Sequence, residues 1–277
     1  MRRKSEYGTC HICGNTGPLT YEHIPPQAAF NKNKIFQTKG TELIHSNLLP
    51  WEFSGLKGKI YQGGVGEYTL CGKCNNNTGA WYANSFVDFV LKTSNQLKDT
   101  KLENAKFLNI KFDLIKPLNI IKQIIAMFFS VNNEKSAYVN KDLKEFILDK
   151  KRRGFDLKKH KFSLFILSGS MARQTGVSGV LNTITGRSRV FSEMSWPPFG
   201  YVWEFDPKET SEGCDISFFA NEFGYDQNVS IPLKIPVMEI NTYFPGDYRT
   251  RKEVLEQRIN NKYNEMTQNI INNELKY

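Results

Sequence analysis

Long apolar runs are absent from this chain, cysteine is scarce and acidic residues are outnumbered. The most apolar window, Leu118 to Phe129, is interrupted by Asn119, Lys122 and Gln123, well short of the ~20 apolar residues a membrane-crossing helix needs. The segment Met1-Arg2-Arg3-Lys4-Ser5-Glu6-Tyr7 is basic but lacks the apolar stretch of a secretory signal. No internal repeat is visible. Only five of 277 residues are cysteine, too few for a disulfide-stapled scaffold of this size. These absences lead us to expect a cytoplasmic protein with reduced thiols and no membrane partner. Hydrophobic residues make up 40% and aromatics 13%, so the chain has the material for a core and is not of the disordered class.

Acidic residues number 28 against 37 Lys plus Arg, a net charge of +9. Such a surplus suits a polyanionic partner, because neutralised phosphates release counterions. It is unevenly placed. Residues 91–161 hold 17 Lys or Arg and eight Asp or Glu. The densest parts are Lys150-Lys151-Arg152-Arg153 and Lys158-Lys159-His160-Lys161. Either this is a solvated helix end, where cations suit the helix dipole, or it tracks nucleic-acid phosphates through Lys150, Lys151, Arg152, Arg153, Lys158 and Lys159. Arg173, Arg187 and Arg189 would extend such a patch, and Trp196-Pro197-Pro198-Phe199 offers a ring for stacking on a base.

Four of the cysteines form two matched pairs, Cys10-His11-Ile12-Cys13 and Cys71-Gly72-Lys73-Cys74. Two intervening residues let one tight turn aim two thiolates at one ion, and two such turns close a tetrahedral zinc site. Unrelated buried pairs, a disulfide and a redox motif are the alternatives; two matched pairs in a reducing compartment favour zinc. The 57 residues between Cys13 and Cys71 exceed a compact zinc ribbon, so something is inserted between the halves. Cys214 is unpaired and reads as a small core residue.

Thr20-Tyr21-Glu22-His23-Ile24-Pro25-Pro26 follows the first pair, and Asn75-Asn76-Asn77 follows the second directly. On a strand, Glu22 and His23 point to opposite faces unless the proline pair bends it. A zinc site joining Cys13 to Cys74 brings Glu22, His23 and Asn75 near one another. Oxygen ligands from Glu22 and Asn75 suit a hard divalent ion, and a neutral imidazole beside it takes a proton from water. Gln62-Gly63-Gly64-Val65-Gly66 lacks the Lys-Ser/Thr of a phosphate loop and reads as a turn into strand Glu67–Leu70.

The order Cys-x-x-Cys, Glu-His-Ile-Pro-Pro, Cys-x-x-Cys-Asn resembles the HNH endonucleases, in their zinc-stapled branch with phage junction resolvases and many restriction enzymes. The resemblance covers residues 8–90. It implies a ββα-metal module with a treble-clef-like structural zinc on Cys10, Cys13, Cys71 and Cys74. It further implies a catalytic Mg²⁺ or Mn²⁺ on Glu22 and Asn75, with His23 as general base. The product ends would be 5′-phosphate and 3′-hydroxyl, the substrate DNA, with RNA left open, and the setting phage defence or restriction. The acidic position holds Glu where Asp is commoner. A middle Asn steadies the loop between the strands in that family, and Asn47 is the candidate here. Asn76 replaces Asn75 if the helix starts one residue later, and His45 reads as surface. The rival expectation is a non-catalytic zinc-bound module that binds nucleic acid or protein.

Residues 1–91 are thus expected to form the nuclease module and 92–277 an α+β domain of unassigned topology that binds substrate or a partner, a second copy included. In the latter, Leu108, Ile110, Phe112 and Leu114 alternate as a half-buried strand. Pro117 opens a helix with Ile121, Ile124, Ile125 and Phe128 on one face. Asp142 to Arg153 reads as a helix stopped by Gly154. Further strands are expected at Phe162–Ile166, Val190–Met194, Tyr201–Phe205, Asp215–Ala220 and Val229–Ile240, the last at an edge because of its prolines. Gly169 to Gly186 reads as loop, and Thr250 to Leu275 as an amphipathic helix.

Overall fold

A computed structural model describes residues 6–46, 48–102, 105–181, 188–207 and 213–260. Strands β1 (Glu6–Thr9) and β2 (Thr16–His23) form a hairpin around the first cysteine pair. An insert follows, with β3 (Ile35–Gln37), α1 (Gly40–His45) and β4 (Lys59–Tyr61); β3 and β4 pair only with each other. Strand β5 (Gly66–Cys71) returns antiparallel to β2 and runs into helix α2 (Gly72–Thr78). Helix α2 continues through a π-helical turn, Gly79–Ala83, into α3 (Asn84–Leu97). The expected domain boundary after residue 91 therefore falls inside α3.

The second part begins with β6 (Phe107–Ile115), α4 (Pro117–Val131), the short α5 (Ser136–Val139) and α6 (Lys141–Leu148). Then come β7 (His160–Leu167), β8 (Arg173–Leu181), β9 (Ser188–Trp196), β10 (Phe199–Phe205), β11 (Cys214–Asp215), α7 (Phe218–Glu222) and β12 (Val229–Met238). The large sheet runs β6-β12-β7-β10-β9-β8, with β11 added on β7. The architecture is α+β. Proline at N1 starts α4 as expected, but the helix is buried on every side rather than along one stripe. It is the central element. Phe128 and Phe129 meet Trp203 edge-on, and Phe162 stacks on the same indole at 5.6 Å.

One hydrophobic cluster runs from Cys10, Ile12 and Leu70 through Phe86 and Phe128 to Trp203 and Ile235. Polar contacts reinforce this junction. The His11 ring donates from Nδ1 to the Phe129 carbonyl (3.1 Å), Ser130 Oγ donates to Glu22 Oε2 (2.8 Å), and Lys144 Nζ donates to the Cys13 carbonyl (2.8 Å). The cysteine module is packed on the C-terminal end of α4.

Four expectations are corrected. Residues 169–186 are not all loop, since β8 pairs with β9 along a bulged register; an edge strand needs only backbone partners, so its Gly/Ser/Thr composition hid it. The expected strand Asp215–Ala220 is two strand residues followed by α7. Helix α6 ends at Leu148, before Gly154. Strand β12 is interior, between β6 and β7. It meets β7 only at Val237 and Met238, and Pro232 and Pro236 precede that stretch, where no ladder forms on the β7 side. The prolines are tolerated because β12 meets β7 only beyond them, although the strand is not at an edge of the sheet. Residues 251–260 are helical, opened by a capping box in which Thr250 and Glu253 bond each other's backbone N–H. Leu255 and Ile259 are exposed there; Met266 and Ile270 lie outside the described residues.

Candidate functional site

The cysteine pairs sit where two turns face each other. The first follows β1, where Gly14 N–H bonds the Cys10 carbonyl in a left-handed turn (φ 81°) that favours glycine. The second spans the start of α2. All four Sγ atoms lie within 4.8 Å of one another, with Cys13 and Cys71 3.9 Å apart. Tetrahedral thiolates at ~2.3 Å from zinc stand about 3.8 Å apart. The donor chemistry agrees. Cys74 bonded to Cys10 pulls the Cys10 thiol down to about 4, while the same pairing and burial push Cys74 up. A cation favours the thiolate at every position and removes that conflict. The four cysteines are positioned to hold a metal ion, and structural zinc fits them.

His23 ends β2 opposite Gly66. Its ring packs edge-on against Tyr21 at 5.1 Å, and Nε2 lies 3.2 Å from the Gly63 carbonyl. A carbonyl only accepts, so this contact places the proton on Nε2 and leaves Nδ1 as the basic nitrogen. Gln27 Nε2 donates to the same oxygen (3.0 Å). The glycine-rich run from Gln62 to Gly66 is thus a positioning loop for the imidazole.

Asn31, completely buried, holds that loop in place. Its Nδ2 donates to the carbonyls of Pro25 (2.8 Å) and Val65 (2.7 Å), and its Oδ1 accepts from Val65 N–H (2.8 Å). At Gly64 (φ 94°) an added Cβ would lie 1.9 Å from the Asn31 carbonyl, so the loop closes on Asn31 only with glycine there. Asn31 thus steadies the loop that carries Gly63; Asn47, the residue expected to steady the loop between the strands, lies outside the described residues. Nothing in the run Phe30-Asn31-Lys32-Asn33 singles out Asn31. Its role depends on the loop doubling back 34 residues later.

Asn75 lies within α2 rather than at its start, since the helix opens at Gly72. Its Nδ2 donates to Thr20 Oγ1 (3.0 Å) and the Tyr21 carbonyl (3.4 Å). The second cysteine turn thus brings Asn75 to the strand that carries Glu22 and His23, at the bulge between Thr20 and Tyr21. Glu22 behaves differently. Its carboxyl is buried against Ser130, and burial pushes it up to about 7 although the Ser130 bond pulls the other way. Glu22 and His23 face opposite sides, as strand alternation requires, and the proline pair turns the chain only after β2 has ended. A hard divalent ion keeps several waters and seeks charged, reachable oxygens. The Glu22 carboxyl is engaged by Ser130 in this arrangement, so sharing an ion with Asn75 would require it to release that bond. Among the described residues the four cysteines are the only group of three or more His, Cys, Asp or Glu close enough to share an ion.

The basic run is partly engaged with its surroundings. Lys150 lies over the Trp81 and Tyr225 rings, Arg152 pairs with Glu145, Arg153 bonds the Asn221 carbonyl and Lys159 pairs with Asp156. Lys151 and Lys158 lie in exposed positions. Arg173 is buried with Glu193 and so does not extend a surface patch; Arg189 is partly exposed and pairs with Glu204; Arg187 lies outside the described residues. His45 bonds its own helix at Thr41. Comparison with protein-family models, curated proteins and solved structures finds no match for this chain.

Proposed function

We propose that the chain is an HNH-type endonuclease that hydrolyses phosphodiester bonds in nucleic acid, DNA first, with His23 as general base. The observation that carries this reading is the half-exposed His23 ring, oriented by the Gly63 carbonyl through Nε2 so that Nδ1 remains free to accept a proton from water. Asn31 supports it by fixing the Gly63–Val65 loop. Zinc on the four cysteines would hold β2 and α2 together and so keep Asn75 against the strand. Dependence on Mg²⁺ or Mn²⁺ belongs to the reading, and Glu22 joins Asn75 around such an ion only by giving up Ser130.

A second reading, a zinc-bound binding module without catalysis, draws on that Glu22–Ser130 contact, which uses the carboxyl to dock α4. Supercoiled plasmid separates the two. The nuclease reading expects nicking by zinc-loaded protein in Mg²⁺ or Mn²⁺ and none when the divalent cation is withheld. Absence of cleavage on plasmid, single-stranded DNA and RNA alike would leave the binding module.

A further inference from the structure

A groove of about 1100 Å³ opens between the insert and the second part of the chain, larger than the ~300–1,000 Å³ of ordinary small-molecule sites. On the insert side stand Phe36, Trp51 and Phe53. Phe36 and Phe53 leave 40% and 44% of their surface in water, which is costly for aromatic rings serving only the fold. Opposite them are Trp196 at the end of β9 and Tyr243.

The charge of the lining is one-sided. Lys34, Arg173 and Arg251 border the groove and no Asp or Glu does, among the described residues. Arg173 is neutralised by Glu193. Lys34 and Arg251 have no carboxylate partner among the described residues, and the Arg251 guanidinium lies 5.1 Å over the Trp51 ring. Arg251 Nε also donates to Asn241 Oδ1 (3.4 Å), and its guanidinium takes one face of Trp51, which leaves the other face for a base. Rings on both walls with cations unneutralised by carboxylates at their margin suit a polyanion with flat, stackable groups. A duplex hides its base faces; an unpaired strand presents them.

The groove also adjoins the segment that carries the histidine, although His23 itself does not line it. Gln174 on its wall donates to the carbonyl of Ile24, the residue after His23 (2.9 Å), and Val65, which Asn31 clamps, lines it as well. We infer that the groove binds an unpaired nucleic-acid strand, stacking bases on the Trp51 and Tyr243 walls and holding phosphate at Lys34 and Arg251. The inference takes from the nuclease reading only the identity of the polymer.

Fluorescence anisotropy with a labelled oligothymidylate and a duplex of equal length, without divalent cations, tests it. The single strand should bind at least ~10-fold tighter than the duplex. Trp51→Ala and Tyr243→Ala, two variants on opposite walls, should each weaken the single strand about 5- to 100-fold and leave the duplex within about 2-fold. Arg251→Gln should flatten the salt dependence by roughly 0.7 in the log–log slope. Equal affinity for both polymers, or single-strand affinity unmoved in both wall variants, overturns the inference. Strong single-strand binding without any cleavage keeps the groove and removes the nuclease reading. Cleavage that both wall variants leave unchanged, with no strand preference, removes the groove alone.

Discussion

His23 Nε2 and the Gly63 carbonyl stand 3.2 Å apart across 40 residues of sequence. That contact selects the tautomer of the histidine on β2, and the groups around it keep Gly63 in place. Gln27 shares the oxygen, Gly64 allows the loop to close, and Asn31 ties Val65 to Pro25. The imidazole is positioned by a loop that is itself positioned.

Asn31→Ala should therefore act twice. It strands the Pro25 carbonyl and the Val65 N–H in a buried site, while the Val65 carbonyl keeps the Ile24 N–H, at ~1–3 kcal/mol for each group left without a partner, partly relieved by relaxation. Urea denaturation should register a loss of about 2–4 kcal/mol. Plasmid nicking should fall further than the folded fraction does, because Gly63 is no longer fixed. A variant as stable and as active as wild type would remove Asn31 from the account.

The cysteine cluster leads to a metal prediction independent of catalysis. Elemental analysis of protein purified without chelator should find about one zinc per chain. Cys71→Ser should lower that content, and a strong chelator should lower the melting temperature, because zinc binding to such sites is folding free energy. Zinc well below one per chain, with a melt indifferent to chelator, would contradict the assignment.

His160 carries a pH dependence of stability. Trp203 Nε1–H donates to its Nδ1 (3.3 Å), so Nε2 holds the proton and donates to Asp142 Oδ1 (3.3 Å). Burial lowers its pKa below the ordinary value, outweighing the pull of Asp142, Asp156 and Asp206 in the other direction. The unfolded chain then binds the proton more readily than the native one. The stabilisation is complete above the ordinary histidine value of ~6.5 and is lost as pH falls from there toward the lower native value. Denaturant midpoints for wild type and His160→Phe, measured at about pH 7.5 and about pH 5.5, on either side of that value, isolate it. Wild type should lose more stability on acidification than the variant; parallel losses would contradict it.

The site is legible in the sequence where chemistry and spacing coincide. Two matched cysteine pairs have one economical solution, and the structure gathers those four sulfurs. Asn75 follows the last cysteine directly and reaches β2 with it. Asn31 is not legible, because a buried asparagine bonding backbone atoms across a loop has no local signature. The inward turn of Glu22 depends on α4, more than a hundred residues away. In the fold, an alternating strand such as β6 can be read directly, whereas β8 shows a composition of turns and is held by pairing with β9. Helix α4 is recognisable by its proline and apolar spacing. Its full burial follows from the helices and sheet packed around it.

The most direct test of the account is the single-turnover cleavage rate of supercoiled plasmid by wild type and His23→Ala, matched for zinc content and thermal melt, in Mg²⁺. General-base catalysis contributes about 10²- to 10⁴-fold, so the variant should be slower by a factor in that range. Equal rates in the two proteins would contradict the role given to His23 and, with it, the function proposed for the site.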